Sequence, residues 1–334
     1  MTQPLTIKKQ GNFMAGGSTV TADGQIDFNH PVNSPGQTLH GDHAFVTYQI
    51  PQNARKTSLV FLHGAMSSNL AWRTTPDGRE GFDTIFLRKN YPVYLLDQPR
   101  RGEAARSTIS ENITAAPDDQ LWYHTFRMGE WPNLRSDSQF PDSPKAMDQF
   151  FRLMIPDTGA FDEALIADSV SKAFDKIGDG VLITHSQGAG PGWQTALLSD
   201  KIKGVVSFEP GSGFVFPEKE VPEPIETKSP FGPLSASAIP LDEFQKLTKI
   251  PIAIVYGDFI AKEPSENWPA DHWRGRKEMA EKFVATINKY GGDAQVISLP
   301  ELGIFGNTHF LFAEKNNEEI ADVMAKWLAE KGLD

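Results

Sequence analysis

Six short runs in this 334-residue chain are apolar from end to end, and helix-compatible stretches lie between them. Ser58-Leu59-Val60-Phe61-Leu62, Pro92-Val93-Tyr94-Leu95-Leu96 and Val181-Leu182-Ile183-Thr184 come first, followed by Gly204 to Phe208, Ile252 to Tyr256 and Ala294 to Leu299. A strand with one wet face alternates apolar and polar residues, whereas a strand covered on both faces stays apolar throughout. Gly81 to Lys89, Asp162 to Lys176, Trp273 to Tyr290 and Asn317 to Lys331 read as the covering helices. The alternation predicts an α/β fold with a mostly parallel, doubly wound sheet. Upstream, Asn12 to Val20 and His43 to Ile50 read as antiparallel strands at its edge.

Two segments break the alternation. Residues 106–159 carry Trp122, Tyr123, Phe126 and Trp131 among several prolines, and residues 210–249 are rich in proline and serine. Loops this long inside a compact fold are mostly lids or binding elements. Both are therefore expected to be cap insertions in one domain spanning residues 1–334.

The third apolar run leads into His185-Ser186-Gln187-Gly188-Ala189-Gly190. One serine between a buried strand and a glycine-flanked helix start is the layout of a nucleophile elbow, with Thr184 where G-x-S-x-G has its first glycine. A serine hydroxyl needs a base, commonly a histidine steadied by a carboxylate. Of eight histidines, His309 is favoured, because Gly303 to His309 links the last predicted strand to the last helix. In a doubly wound sheet that loop opens at the carboxyl ends of the strands, beside the elbow. Two acids compete on equal terms. Glu209 ends the strand after the elbow, and Asp258 ends the one after that. For the oxyanion, the backbone N–H of Gln187 and that of Ala65, in the His63-Gly64-Ala65 loop, are the expected donors. His63, Trp122, Phe126 and Trp131 are candidates for the substrate pocket.

With these pieces in order, the chain resembles the α/β-hydrolase fold over about residues 40 to 332. More narrowly, it is similar to the bacterial esterase 713-like family. The segments that carry this likeness are Gln10-Gly11-Asn12-Phe13 with Gly16-Gly17, Gly41 to Val46, His185-Ser186-Gln187-Gly188, Phe208-Glu209-Pro210 and Gly303 to His309. The resemblance implies that Glu209 rather than Asp258 is the acid. It also implies ester hydrolysis, a secretion leader, a small cap and a homodimer. Family members carry cysteines and this chain has none, so no disulfide transfers to it.

The expected function is cleavage of a carboxylic ester through an acyl-enzyme, without metal or organic cofactor. Amide, lactone or thioester hydrolysis on the same residues is the neighbouring reading, and a non-catalytic small-molecule binder is the rival class. A net charge of −11, from 43 acidic and 32 basic residues, disfavours nucleic acid and anionic membranes as partners. The partner expected is a small-molecule ester. Aspartate at the elbow would have pointed to epoxide or haloalkane chemistry, but this chain has Ser186 there. Residues 1–12 contain Lys8 and Lys9 without an apolar signal stretch. A soluble protein is expected, cytoplasmic or, if a leader was removed from a precursor, periplasmic or secreted.

Overall fold

The computed structural model describes residues 4–334. Its main sheet comprises β1 (Ile7–Thr21), β2 (Thr38–Pro51), β3 (Ser58–Leu62), β4 (Val93–Asp97), β5 (Gly180–His185), β6 (Ile202–Phe208), β7 (Pro251–Tyr256) and β8 (Asp293–Ser298). The strand order is β1-β2-β4-β3-β5-β6-β7-β8. β2 pairs antiparallel with both β1 and β4, and every other pairing is parallel. The helices are α1 (Phe82–Arg88), α2 (Asp119–Thr125), α3 (Pro144–Arg152), α4 (Glu163–Ile177), α5 (Ala189–Leu198), α6 (Leu241–Phe244), α7 (Trp268–Lys289) and α8 (Asn317–Glu330).

Alternate residues of the central strands feed two cores, as a period of two requires. Val60, Leu62, Leu182, Val205 and Ile254 pack with α4, α5 and α7, whereas Leu59, Phe61, Ile183, Val206 and Val255 pack with α1 and α8. The apolar runs are thus covered on both faces. α7 starts five residues before the sequence pattern suggests. The Asn267 side chain accepts a hydrogen bond from the Ala270 N–H, and a proline stands in the first turn, so the cap rather than the first apolar residue sets the boundary.

The two insertions differ. The first carries α2, α3 and a two-residue hairpin, and it lies over the carboxyl ends of the strands, with Phe126 against His309. The second departs from the expected lid. Its Phe214, Phe216 and Phe244 pack on Phe283 of α7, so most of it flanks the core, and Phe231 stacks on Trp122 of the first insertion. No helix among the described residues is long and apolar enough to cross a membrane.

Candidate active site

Strand register assembles the site before any side chain is considered. Leu62 is opposite Thr184, so two residues on Gly64 meets Ser186; Thr184 is opposite Ser207, so Glu209 flanks Ser186 on the other side. Ser186 has φ +53° and Glu209 φ +49°, both left-handed conformations that non-glycine residues seldom adopt. Such outliers cluster where a side chain must be aimed away from its strand. The loops approach so closely that glycine is required. A Cβ on Gly64 would lie 2.8 Å from the Ser186 Cβ, and one on Gly188 would lie 2.4 Å from the His63 carbonyl oxygen.

His309 arrives from the loop after β8, as expected. Its Nδ1 lies 3.2 Å from Glu209 Oε2. The loop is fixed by buried Glu314, which accepts from the Thr308 N–H at 2.9 Å and Asn307 Nδ2 at 2.8 Å. His185 Nε2 donates to the His309 carbonyl at 3.0 Å. Phe126 stacks on the imidazole at 4.9 Å and 15°, and Trp273 lies against it at 4.3 Å. Burial, together with the positive charges of Arg127 and Arg276, holds His309 well below the usual histidine pKa. An unprotonated imidazole is the form that can accept a proton.

The two candidate acids have different surroundings. Glu209 is fully buried, and besides His309 it accepts from Arg127 Nη2 at 2.8 Å and from the Gly257 N–H at 2.7 Å, both through Oε1. Asp258 instead caps backbone: Oδ1 takes the Phe259 N–H at 2.7 Å and Oδ2 the Gly306 N–H at 2.9 Å.

Ala65 lies in the loop after β3, and Gln187 in the short turn between Ser186 and α5. The carbonyl of Gly64 takes Arg101 Nη1 at 2.8 Å and faces His63 Nδ1 at 2.9 Å. A trans peptide sets N–H and C=O on opposite sides, so anchoring this carbonyl also orients the Ala65 N–H. Arg101 Nη2 reaches Gln187 Oε1 at 2.9 Å, tying the Gly64–Ala65 loop to the segment after Ser186, and the same guanidinium pairs with Asp157 of the first insertion. Thr184, at the glycine position of the elbow motif, is buried and donates to Ser207 Oγ at 2.8 Å.

The expected pocket residues separate. Phe126 lines a narrow apolar cavity with Ala65, Met66, Phe150, Met154 and Phe310. His63 is buried under the loop that follows β3. It is 1% exposed, its Nε2 accepts the Gln98 N–H at 3.1 Å, and burial with the nearby Arg101 charge lowers its pKa to about 3, so it is a neutral prop beneath the Gly64–Ala65 peptide. Trp122 is a packing residue between Phe126 and Phe231, with its indole N–H on Asp118. Trp131 stands 43% exposed against Tyr123 and Phe151 and lines a separate surface cavity with Leu134 and Met147. His272 of α7 is buried against Ser229 Oγ at 2.7 Å.

Sequence reasoning missed Arg101, Arg127 and Trp273. Arg101 had a signal, since Asp97-Gln98-Pro99-Arg100-Arg101 follows a strand that ends at the same sheet edge as the elbow. Arg127 sits mid-insertion, and nothing local marks it.

Residues 59–332 match the alpha/beta hydrolase family. The chain is similar to a fungal protein (Fungal sp., strain ATCC 74256) described as a "Probable secreted lipase", 26% identical over 328 residues that cover 86% of each chain. Among solved structures it is similar to one described as a novel bacterial esterase, 28% identical with a TM-score of 0.79, covering 99% of this chain and 98% of that one.

Proposed function

The chain belongs to the alpha/beta hydrolase family, and from its site we propose that it is a serine esterase working through Ser186, His309 and Glu209. The observation that carries this reading is the contact between His309 Nδ1 and Glu209 Oε2 at the strand end beside a left-handed serine. With Nδ1 engaged, Nε2 is the nitrogen that takes the Ser186 proton as Oγ attacks the ester carbonyl. The tetrahedral oxyanion is received by the N–H groups of Gln187 and Ala65, each worth about 3 to 4 kcal/mol. Collapse breaks the bond to the alcohol, which leaves with the proton from His309. Water, deprotonated by the same imidazole, then releases the carboxylic acid and frees Ser186.

The cavity beside Ala65 is lined by methionine and phenylalanine, with Ser67 and Thr74 among its other residues. This lining favours an uncharged apolar group on one side of the carbonyl, and a free volume of about 20 Å³ limits it to a very small one. The descriptions of the two relatives, an esterase and a secreted lipase, support ester over amide substrates, and the second is compatible with secretion.

A fluorophosphonate probe and a panel of esters of graded acyl and alcohol size test the proposal. Labelling of the native protein, lost in Ser186→Ala along with at least about 10⁴-fold of the hydrolysis rate, is the expected result. No labelling of the native protein, or equal labelling of Ser186→Ala, would overturn it.

A further inference from the structure

We propose that Arg127 is a positioning residue for the catalytic set, reaching in from the first insertion to orient the Glu209 carboxylate so that Oε2 is the oxygen left for the imidazole. The inference rests on the reading of Ser186, His309 and Glu209 given above. Oε1 is occupied twice, by Arg127 Nη2 at 2.8 Å and the Gly257 N–H at 2.7 Å, while Oε2 meets His309 Nδ1. The side chains of Arg127 and Glu209 are 1% and 0% exposed. A pair so buried adds little net stability over a well-packed apolar replacement, so what it contributes is geometry and charge.

Arg127 is itself held on three sides. Its Nε donates to the Asp258 carbonyl at 2.9 Å, its guanidinium lies over the Trp273 ring at 5.0 Å, and its backbone has φ +63°. The preceding residue completes the grip. Phe126 stacks on the imidazole, and its carbonyl faces the His309 N–H at 3.3 Å. Two consecutive residues of an insertion therefore hold both the base and its acid.

The guanidinium also sets the charge felt by His309. Facing that imidazole are Glu209 from the end of β6, Arg127 from the insertion, His272 and Arg276 from α7, and His185 from the end of β5. Arg127 works against protonation of His309, so removing it raises the pKa of the base. The acid limb of kcat/KM then moves to higher pH.

The test compares Arg127→Met, Arg127→Lys, Glu209→Gln and the Arg127→Met/Glu209→Gln double variant in the full chain. It reads kcat, KM, pH profiles and the His309 imidazole titration by NMR. Arg127→Met is expected to lose about 10- to 100-fold in kcat with KM within about threefold, and to shift the acid limb and the imidazole titration upward. Arg127→Lys keeps the charge but not the fork, so it should retain the acid limb and recover part of kcat. On the Glu209→Gln background, Arg127→Met should cost under about threefold more, because its effect runs through that carboxylate. An unmoved acid limb and titration, or the full Arg127→Met loss repeated in the double variant, would refute the inference. If Arg127→Met does not fold, Arg127→Lys decides: a kcat loss at constant KM supports the role, and wild-type kcat overturns it. If the native protein cleaves no ester, the esterase reading fails by itself, and the imidazole titration with and without Arg127 still decides this one.

Discussion

Asp258 is tied to the histidine loop through Gly306, whose backbone N–H meets Asp258 Oδ2 at 2.9 Å, while the backbone N–H of Asp258 donates to the Asn307 carbonyl at 2.7 Å. Its carboxylate supports the loop and Glu209 supports the imidazole. Glu209→Gln is therefore expected to lower kcat by about 10² to 10⁴-fold, because the amide can present the wrong partner to Nδ1. Asp258→Asn keeps one acceptor oxygen for the loop and should cost less than about tenfold. Steady-state kinetics of the two variants check this, and a larger loss in Asp258→Asn would reverse the assignment.

Arg101 joins the Gly64 carbonyl to the Gln187 side chain. Without it, one anchor of the Gly64–Ala65 peptide is gone, leaving His63. Arg101→Ala should lower kcat by about 10- to 100-fold, somewhat less than the loss of an oxyanion donor itself, with little change in KM. Kinetics on the best ester of the panel measure it, and an effect confined to KM would mean that Arg101 binds substrate instead.

Gly192 lies inside α5, where alanine would ordinarily be better by about 1 kcal/mol. A Cβ there would fall 2.6 Å from the Thr184 Cγ2, so Gly192→Ala is expected to destabilise by about 1 to 3 kcal/mol instead. Thr184→Ser removes that methyl and keeps the hydroxyl that bonds Ser207, so the double variant should recover most of the loss. Urea unfolding of the two single variants and the double variant decides it; simple additivity would argue against the clash.

The Asp42 carboxylate is buried against Arg100, with Nε at 2.9 Å and Nη2 at 3.2 Å, and it also accepts from the Thr108 N–H at 3.2 Å. Burial pushes this carboxyl up, but the hydrogen bonds from Arg100 and Thr108 prevail and hold it at about 2, below the ordinary 3.8. A lowered acid pKa stabilises the fold above about pH 4, and that stability, about 2 kcal/mol, drains away as pH falls toward 2. Unfolding free energy measured across that window should fall more steeply in the wild type than in Asp42→Asn, which is destabilised at neutral pH. Parallel slopes would assign the acid sensitivity to other groups.

How far the sequence reaches depends on whether a contact is local. The buried strands announced themselves by apolar length, and Ser186, His309 and Glu209 each ended or followed one of them. Choosing between Glu209 and Asp258 by spacing was impossible, because both β6 and β7 end at the same edge; only the partners of each carboxylate separate them. His63 looked like a pocket residue because it adjoins the oxyanion loop, yet both of its nitrogens are turned inward to Gly64 and Gln98. Arg127 is 82 residues from Glu209 in the chain, and no periodicity encodes such a meeting. The second insertion misled for a related reason: its phenylalanines find α7, and that packing is invisible until the helix is in place.

Phe126 holds the His309 imidazole and Arg127 the Glu209 carboxylate, so on the proposed reading one short stretch of the first insertion sets the geometry of both groups. A substitution that shifted residues 126–127 would therefore disturb His309 and Glu209 together.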